Sequence, residues 1–136
     1  MRTSIRVTTS GRGLHEVTDV VRKAVRESGV REGLCTVYLR HTSASLIIQE
    51  NADPSVCKDL EFFLLKLVPD GHPHYTHVAE GPDDMPAHIR SALTRTSETF
   101  IIEEGDILLG TWQGLFLFEH RHASHRRQLE IKILVG

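Results

Sequence analysis

Apolar positions recur along the chain at two spacings, and the change from one to the other predicts its elements. Residues 4–9 alternate, with Ile5 and Val7 on one face, as a half-buried strand does. Gly11 and Gly13 then supply a turn. Val17, Val20, Val21, Ala24 and Val25 recur at helical spacing and form one apolar stripe, with Gly29 as the stop. Residues 34–40 return to alternation, with Cys35, Val37 and Leu39 on one side. His41-Thr42-Ser43-Ala44 interrupts the pattern, and residues 45–49 resume it through Leu46, Ile47 and Ile48. The plainer reading of the interruption is a bulge or connection whose hydroxyls bond locally.

Asp53 and Pro54 suit the cap and first position of the next helix. Val56, Leu60, Phe63, Leu64 and Leu67 predict its buried stripe, and Pro69-Asp70-Gly71 its end. A long polar loop runs from Pro69 to Pro86 with His72, His74, Tyr75 and His77; loops of this length in a compact domain are usually functional or disordered. A short helix follows, opened by Asp83, Asp84 and Pro86, with Ile89 and Leu93 turned to the core. Strands are predicted at 98–103, 107–109, 115–119 and 128–135, the last two around a polar connection, 120–127. Short turns between consecutive strands argue antiparallel pairing and an α+β domain, with about three helices packed on the sheet. Nothing suggests a repeat or linker, so residues 1–136 read as a single domain.

Composition narrows the class. The formal net charge is −2, so no basic field points to nucleic acid. No apolar run has the length of a bilayer span, and the first residues lack the apolar core of a signal peptide. Cys35 and Cys57 read as buried free thiols of a reducing compartment.

Nine histidines are the unusual feature. Phosphate-loop, dinucleotide and nucleophile-elbow motifs are absent, and so is HExxH. Ser43 or Ser45 near His41 does not amount to triad geometry. A metal is more plausible, since imidazole is a common ligand of zinc-like ions. His77, His88 and His120 come from a loop, a helix start and a strand end, with His74 and His122 as competitors. Asp84 and His88 fall close together if the stretch from Glu80 to Ile89 forms a helix entrance, although a merely well-capped helix fits as well. Arg121, Arg126 and Arg127 could hold a phosphate or carboxylate, because guanidinium offers a planar fork of donors; for Arg127 a solvent-facing hairpin tip is the plainer reading.

Three segments together resemble the YjbQ family, some of whose members are labelled secondary thiamine-phosphate synthases. They are His41-Thr42-Ser43-Ala44-Ser45 with Glu50-Asn51 and Asp53-Pro54; Glu80-Gly81 with Asp83 to Ile89; and Gly110-Thr111-Trp112-Gln113-Gly114 with Glu119-His120-Arg121. The resemblance implies a small α+β fold, β-sandwich-like with helices packed on the sheet. It also implies a cytoplasmic protein, a homotrimer and a polar pocket with a divalent metal ion, zinc or magnesium. The implied activity is a transferase that joins a pyrimidine diphosphate to a thiazole phosphate and releases pyrophosphate. His41, Asn51, His77, Asp84, His88, Gln113, His120 and Arg121 stand at the matching positions. Val78 departs from the pattern, where an acid is common. The resulting expectations are these. His77, His88 and His120 hold the metal, and His41 and Asp84 handle protons. Ser43, Asn51, Gln113, Arg121 and Arg126 bind a small phosphorylated substrate. A non-catalytic metabolite- or anion-binding protein and a metal-dependent phosphoester hydrolase are the alternatives.

Overall fold

The computed structural model describes residues 2–136. The elements in order are β1 (Arg2–Thr8), β2 (Gly13–Glu16), α1 (Thr18–Ser28), β3 (Gly33–Leu39), β4 (Ala44–Glu50), α2 (Pro54–Leu67), α3 (Asp84–Leu93), β5 (Ser97–Glu103), β6 (Asp106–Ile107), β7 (Gln113–Glu119) and β8 (Arg126–Val135). They build an α+β fold with a five-stranded sheet, β1-β8-β3-β5-β6, and a three-stranded sheet, β2-β7-β4. Every pairing between named strands is antiparallel.

Alternation explains the layers. On β3, Cys35, Val37 and Leu39 are buried while Leu34 and Tyr38 face out. On β4 and β7 the same side carries Ala44, Leu46, Leu115 and Leu117, and both sets join one core with Val21 and Val25 of α1. The two sheets therefore face one another across a single apolar interior. The other side of β7 carries Phe116, Phe118 and, just beyond it, His120, all buried. α2 packs beside β2, and α3 beside β4, on the smaller sheet. α1 ends on Gly29, whose φ of 72° is the left-handed cap that glycine adopts without strain.

Several expectations change. Gly13–Glu16 is a strand, β2, paired with β7, where the glycines predicted only a turn. Of the two readings of the residues around His41, bulge or connection, the connection holds: they carry the chain from β3 in one sheet to β4 in the other. Asp53 caps α2 as expected, its Oδ1 accepting the Ser55 amide at 2.9 Å. The buried stripe of α2 does not form. That helix lies over an edge strand with one side only, so Val56, Leu60 and Leu64 are half-buried while Phe63 and Leu67 are 60% and 58% exposed. Leu93 is likewise exposed at the end of α3. Arg127 is no solvent-facing tip. It is 4% exposed and its guanidinium pairs with the fully buried Glu119, which Thr9 also bonds at 2.8 Å. Both cysteines are free thiols, but only Cys35 is buried, which pushes it up to about 11; Cys57, expected buried, is half-buried because α2 has no layer over it.

Candidate metal centre

The start of α3 assembles the site. Asp84 opens the helix and His88 stands one turn later, which puts both on one face. His88 Nε2 lies 3.2 Å from Asp84 Oδ2. The polar loop before the helix brings His77 Nε2 to 2.7 Å from the same oxygen. One ligand atom from each of His77, Asp84 and His88 lies within 4.8 Å of the others. Asp84 is 2% exposed, whereas His77 and His88 border solvent.

Asp83 occupies the N-cap position, but its carboxylate makes no capping bond. It accepts instead from Arg121 Nε at 3.0 Å and from the His122 amide at 3.0 Å. Arg121 also gives NH1 to Asp84 Oδ1 at 2.8 Å and NH2 to the Glu80 carbonyl at 2.9 Å. Both nearly buried carboxylates thus share one guanidinium. Burial alone would raise Asp83, but the Arg121 and His122 bonds and the adjoining positive charge bring it down to about 2. Burial acts on Asp84 in the same way, and the His77 bond with the His88 and Arg121 charges holds it below its ordinary value. Asp84 is therefore ionised at neutral pH, with Oδ1 tied to Arg121 and Oδ2 turned to the two imidazoles.

The hydrogen-bond pattern suits a cation. His88 Nδ1 donates to the Thr42 carbonyl at 2.9 Å, because a carbonyl can only accept. That bond fixes the ring and leaves Nε2 aimed at Asp84. Metal-binding histidines usually donate their other ring N–H to a carbonyl or carboxylate in this way. With Nδ1 given to the Thr42 carbonyl, Nε2 is the ring atom of His88 that a cation beside Asp84 Oδ2 would take, and His77 offers its Nε2 to the same point. Two imidazoles and one carboxylate suit zinc and its neighbours better than magnesium, which prefers oxygen ligands.

The remaining site candidates are placed differently. His120 does not join this group. It is fully buried, its Nε2 lies 2.8 Å from Ser45 Oγ, and burial with the Arg90, Arg127 and Arg12 charges pushes it down to about 3. Facing the helix side of the small sheet, it is buried apart from the cluster, in which Asp84 is the third candidate ligand beside His77 and His88. Arg121 directs Nε, Nη1 and Nη2 to Asp83, Asp84 and Glu80, and beyond these four bonds one Nη1–H is left. It positions Asp84. His41 is not a base at Nε2, which accepts the Gln128 amide at 2.8 Å.

Asn51 and Gln113 lie at the far end of the small sheet. The β4–β7 register runs from Ala44↔Glu119 to Glu50↔Gln113, a span of about 20 Å. There Asn51 bonds Glu16 at 3.0 Å and Gln113 bonds the Gly110 amide at 2.7 Å. Arg126 is exposed on the face of β8 opposite to that of Arg127. Ser43 stays near the site, its Oγ accepting from Arg127 NH2 at 3.1 Å. Sequence reasoning missed two supports, the Thr42 carbonyl and the buried Arg90, which bonds the Val68 and His120 carbonyls at 2.7 and 2.9 Å. A backbone acceptor leaves no mark in residue types, and Arg90 sits in an otherwise ordinary amphipathic helix.

Two cavities flank the triad. One of ≈ 380 Å³ is lined by Tyr75, His77, Val78, Pro82 and Met85 among others. Another of ≈ 250 Å³ is lined by His41, Thr42, His88, Ser91, Ala92 and Thr96. Among the described residues no helix is long and apolar enough to cross a membrane.

Known proteins share this arrangement of elements. The chain is 54% identical over 127 residues to a UPF0047 protein of Synechocystis, covering 93% of this chain and 86% of the relative. It is 44% identical over 126 residues to UPF0047 protein YjbQ of Escherichia coli, covering 91% of each. A conserved hypothetical protein of Thermus thermophilus, known from its crystal structure, superposes with a TM-score of 0.88 at 32% identity, covering 97% of this chain and 99% of that one. The family described as UPF0047 protein YjbQ-like matches residues 3–136, so the chain belongs to the YjbQ-like UPF0047 family.

Proposed function

We propose that the chain is a metal-dependent enzyme acting on a small phosphorylated substrate. The observation that carries this reading is the convergence of His77, Asp84 and His88 on one point at the edge of two cavities. A zinc-class ion held there supplies Lewis acidity toward a phosphoryl oxygen. The protein's own part is positional. Arg121 holds Oδ1 of Asp84 so that Oδ2 stays turned to the histidines, and the Thr42 carbonyl holds His88. The cavity beside His77 has the size and the mixed apolar lining of a small-molecule site, and Tyr75, Pro82 and Met85 suit the flat part of a heterocycle.

Within that class we infer the reaction that the family resemblance suggests: a pyrimidine diphosphate joined to a thiazole phosphate with release of pyrophosphate. Phosphoester hydrolysis is the second reading, favoured by the solvent-bordering histidines, which leave room for water. The test is turnover by zinc-loaded protein. Pyrophosphate release from the paired substrates and phosphate release from monoesters are followed side by side, with His88→Ala and chelated protein as controls. Turnover that disappears in both controls supports the proposal. Turnover unchanged by His88→Ala rejects it, and saturable ligand binding without turnover makes the chain a binding protein.

A further inference from the structure

A second site adjoins the first. The cavity lined by His41, Thr42, Thr96 and His88 shares its first three residues with a larger one of ≈ 510 Å³ that reaches Arg40 and Ser43. Both border the crossing from β3 to β4.

The donors at this crossing are set from behind. His41 Nε2 accepts the Gln128 backbone N–H at 2.8 Å, and a ring nitrogen that accepts carries no proton. The neutral ring therefore holds its proton on Nδ1. Burial, with the charge of Arg127, pushes His41 below its ordinary value, which keeps the ring neutral at pH 7. Ser43 follows the same logic. Its Oγ accepts from Arg127 NH2 at 3.1 Å, which leaves its own hydroxyl proton to donate. Among the described residues neither His41 Nδ1 nor the Ser43 hydroxyl proton has a protein acceptor. Arg127 is in turn fixed by the buried Glu119. The larger cavity has no carboxylate in its lining, and Arg40 adds a positive charge. Fixed donors, one cation and no acid make a place for an oxyanion.

We propose that the His41–Ser43 crossing is an oxyanion subsite that receives a phosphoryl group of the substrate, with His41 acting as a neutral Nδ1–H donor. The naming of the anion as a phosphoryl group rests on the function proposed above; the donor geometry does not. The subsite lies on the His88 side of the metal cluster and the Tyr75 cavity on the His77 side. A substrate spanning them would carry its phosphoryl end at His41 and its ring at Tyr75.

The experiment is histidine ¹⁵N NMR of the full chain freed of metal, with inorganic phosphate at pH 8 as the probe and acetate as the comparison. His41 should show an unprotonated Nε2 and a protonated Nδ1. Phosphate should move the Nδ1–H resonance saturably, with Ser43→Ala raising the half-saturating concentration about tenfold, the loss of one charge-assisted hydrogen bond. Acetate should be far weaker. A proton on Nε2, or a phosphate response no larger than that of the exposed His74, overturns the subsite. Acetate that saturates as readily as phosphate overturns the phosphoryl assignment. Because the probe needs no cation, zinc titration of the same sample tests the metal cluster separately.

Discussion

Arg121→Met removes the guanidinium that two nearly buried carboxylates share. Asp83 and Asp84 are 8% and 2% exposed, and Arg121 reaches both, at 3.0 and 2.8 Å. Taking away one partner of a buried pair costs about 3–5 kcal/mol, because the remaining charge is left without compensation. The Arg121 side chain is 17% exposed, so water can enter and the lower end applies, about 3 kcal/mol. At this chain length that corresponds to a fall in Tm of about 10 °C. Part of the loss should be confined to neutral pH, since protonated acids need no partner. Thermal melts at pH 7 and pH 2 measure both effects, since Asp83 protonates only near 2, with Arg121→Lys expected to recover only part by keeping the charge without the planar fork. Arg95→Met is the control, because its ion pair with Glu98 leaves Arg95 74% exposed. A loss for Arg121→Met no larger than that of the control would refute the shared-guanidinium account.

Acid should act on the same pair. Asp83 sits at about 2, below its ordinary 3.8, so its contribution of about 2 kcal/mol is complete above pH ~4 and lost as pH falls toward 2; acid titration of stability should show this limb, and Asp83→Asn should flatten it. His120→Gln should leave zinc affinity unchanged in a calorimetric titration, because His120 lies in the core; His88→Ala should abolish that binding. Glu119→Gln should destabilise by about 3 kcal/mol in denaturant melts, since it leaves Arg127 buried beside a neutral amide.

Much of the fold was legible because one face of each inner strand is buried, and alternation records that directly. Residues 34–40 and 128–135 carried it clearly and became β3 and β8 with small shifts at their ends. β2 was hidden by its glycine and its brevity. α2 misled for a different reason. Its apolar residues recur at core spacing, yet none is fully buried and two of the stripe, Phe63 and Leu67, are exposed, because periodicity reports a face without saying what covers it.

The site divided along the same line. Asp84 and His88 were legible as a pair because their four-residue spacing on a helix fixes their proximity. His77 entered only through the resemblance and the histidine count, since loop residues have no period. His120 was misplaced because a histidine beside an arginine reads as polar surface, while the strand before it buries every side chain from Gly114 to Glu119. The roles of Arg121 and His41 needed coordinates, because what decides them is which atoms are already bonded.

The account stands on a cation held by His77, Asp84 and His88. Anomalous diffraction at the zinc edge, from crystals of the full chain soaked in zinc, tests it most directly. A single strong peak about 2 Å from His77 Nε2, Asp84 Oδ2 and His88 Nε2, absent in Asp84→Asn, is the predicted result. A peak elsewhere, or none at saturating zinc, would contradict it.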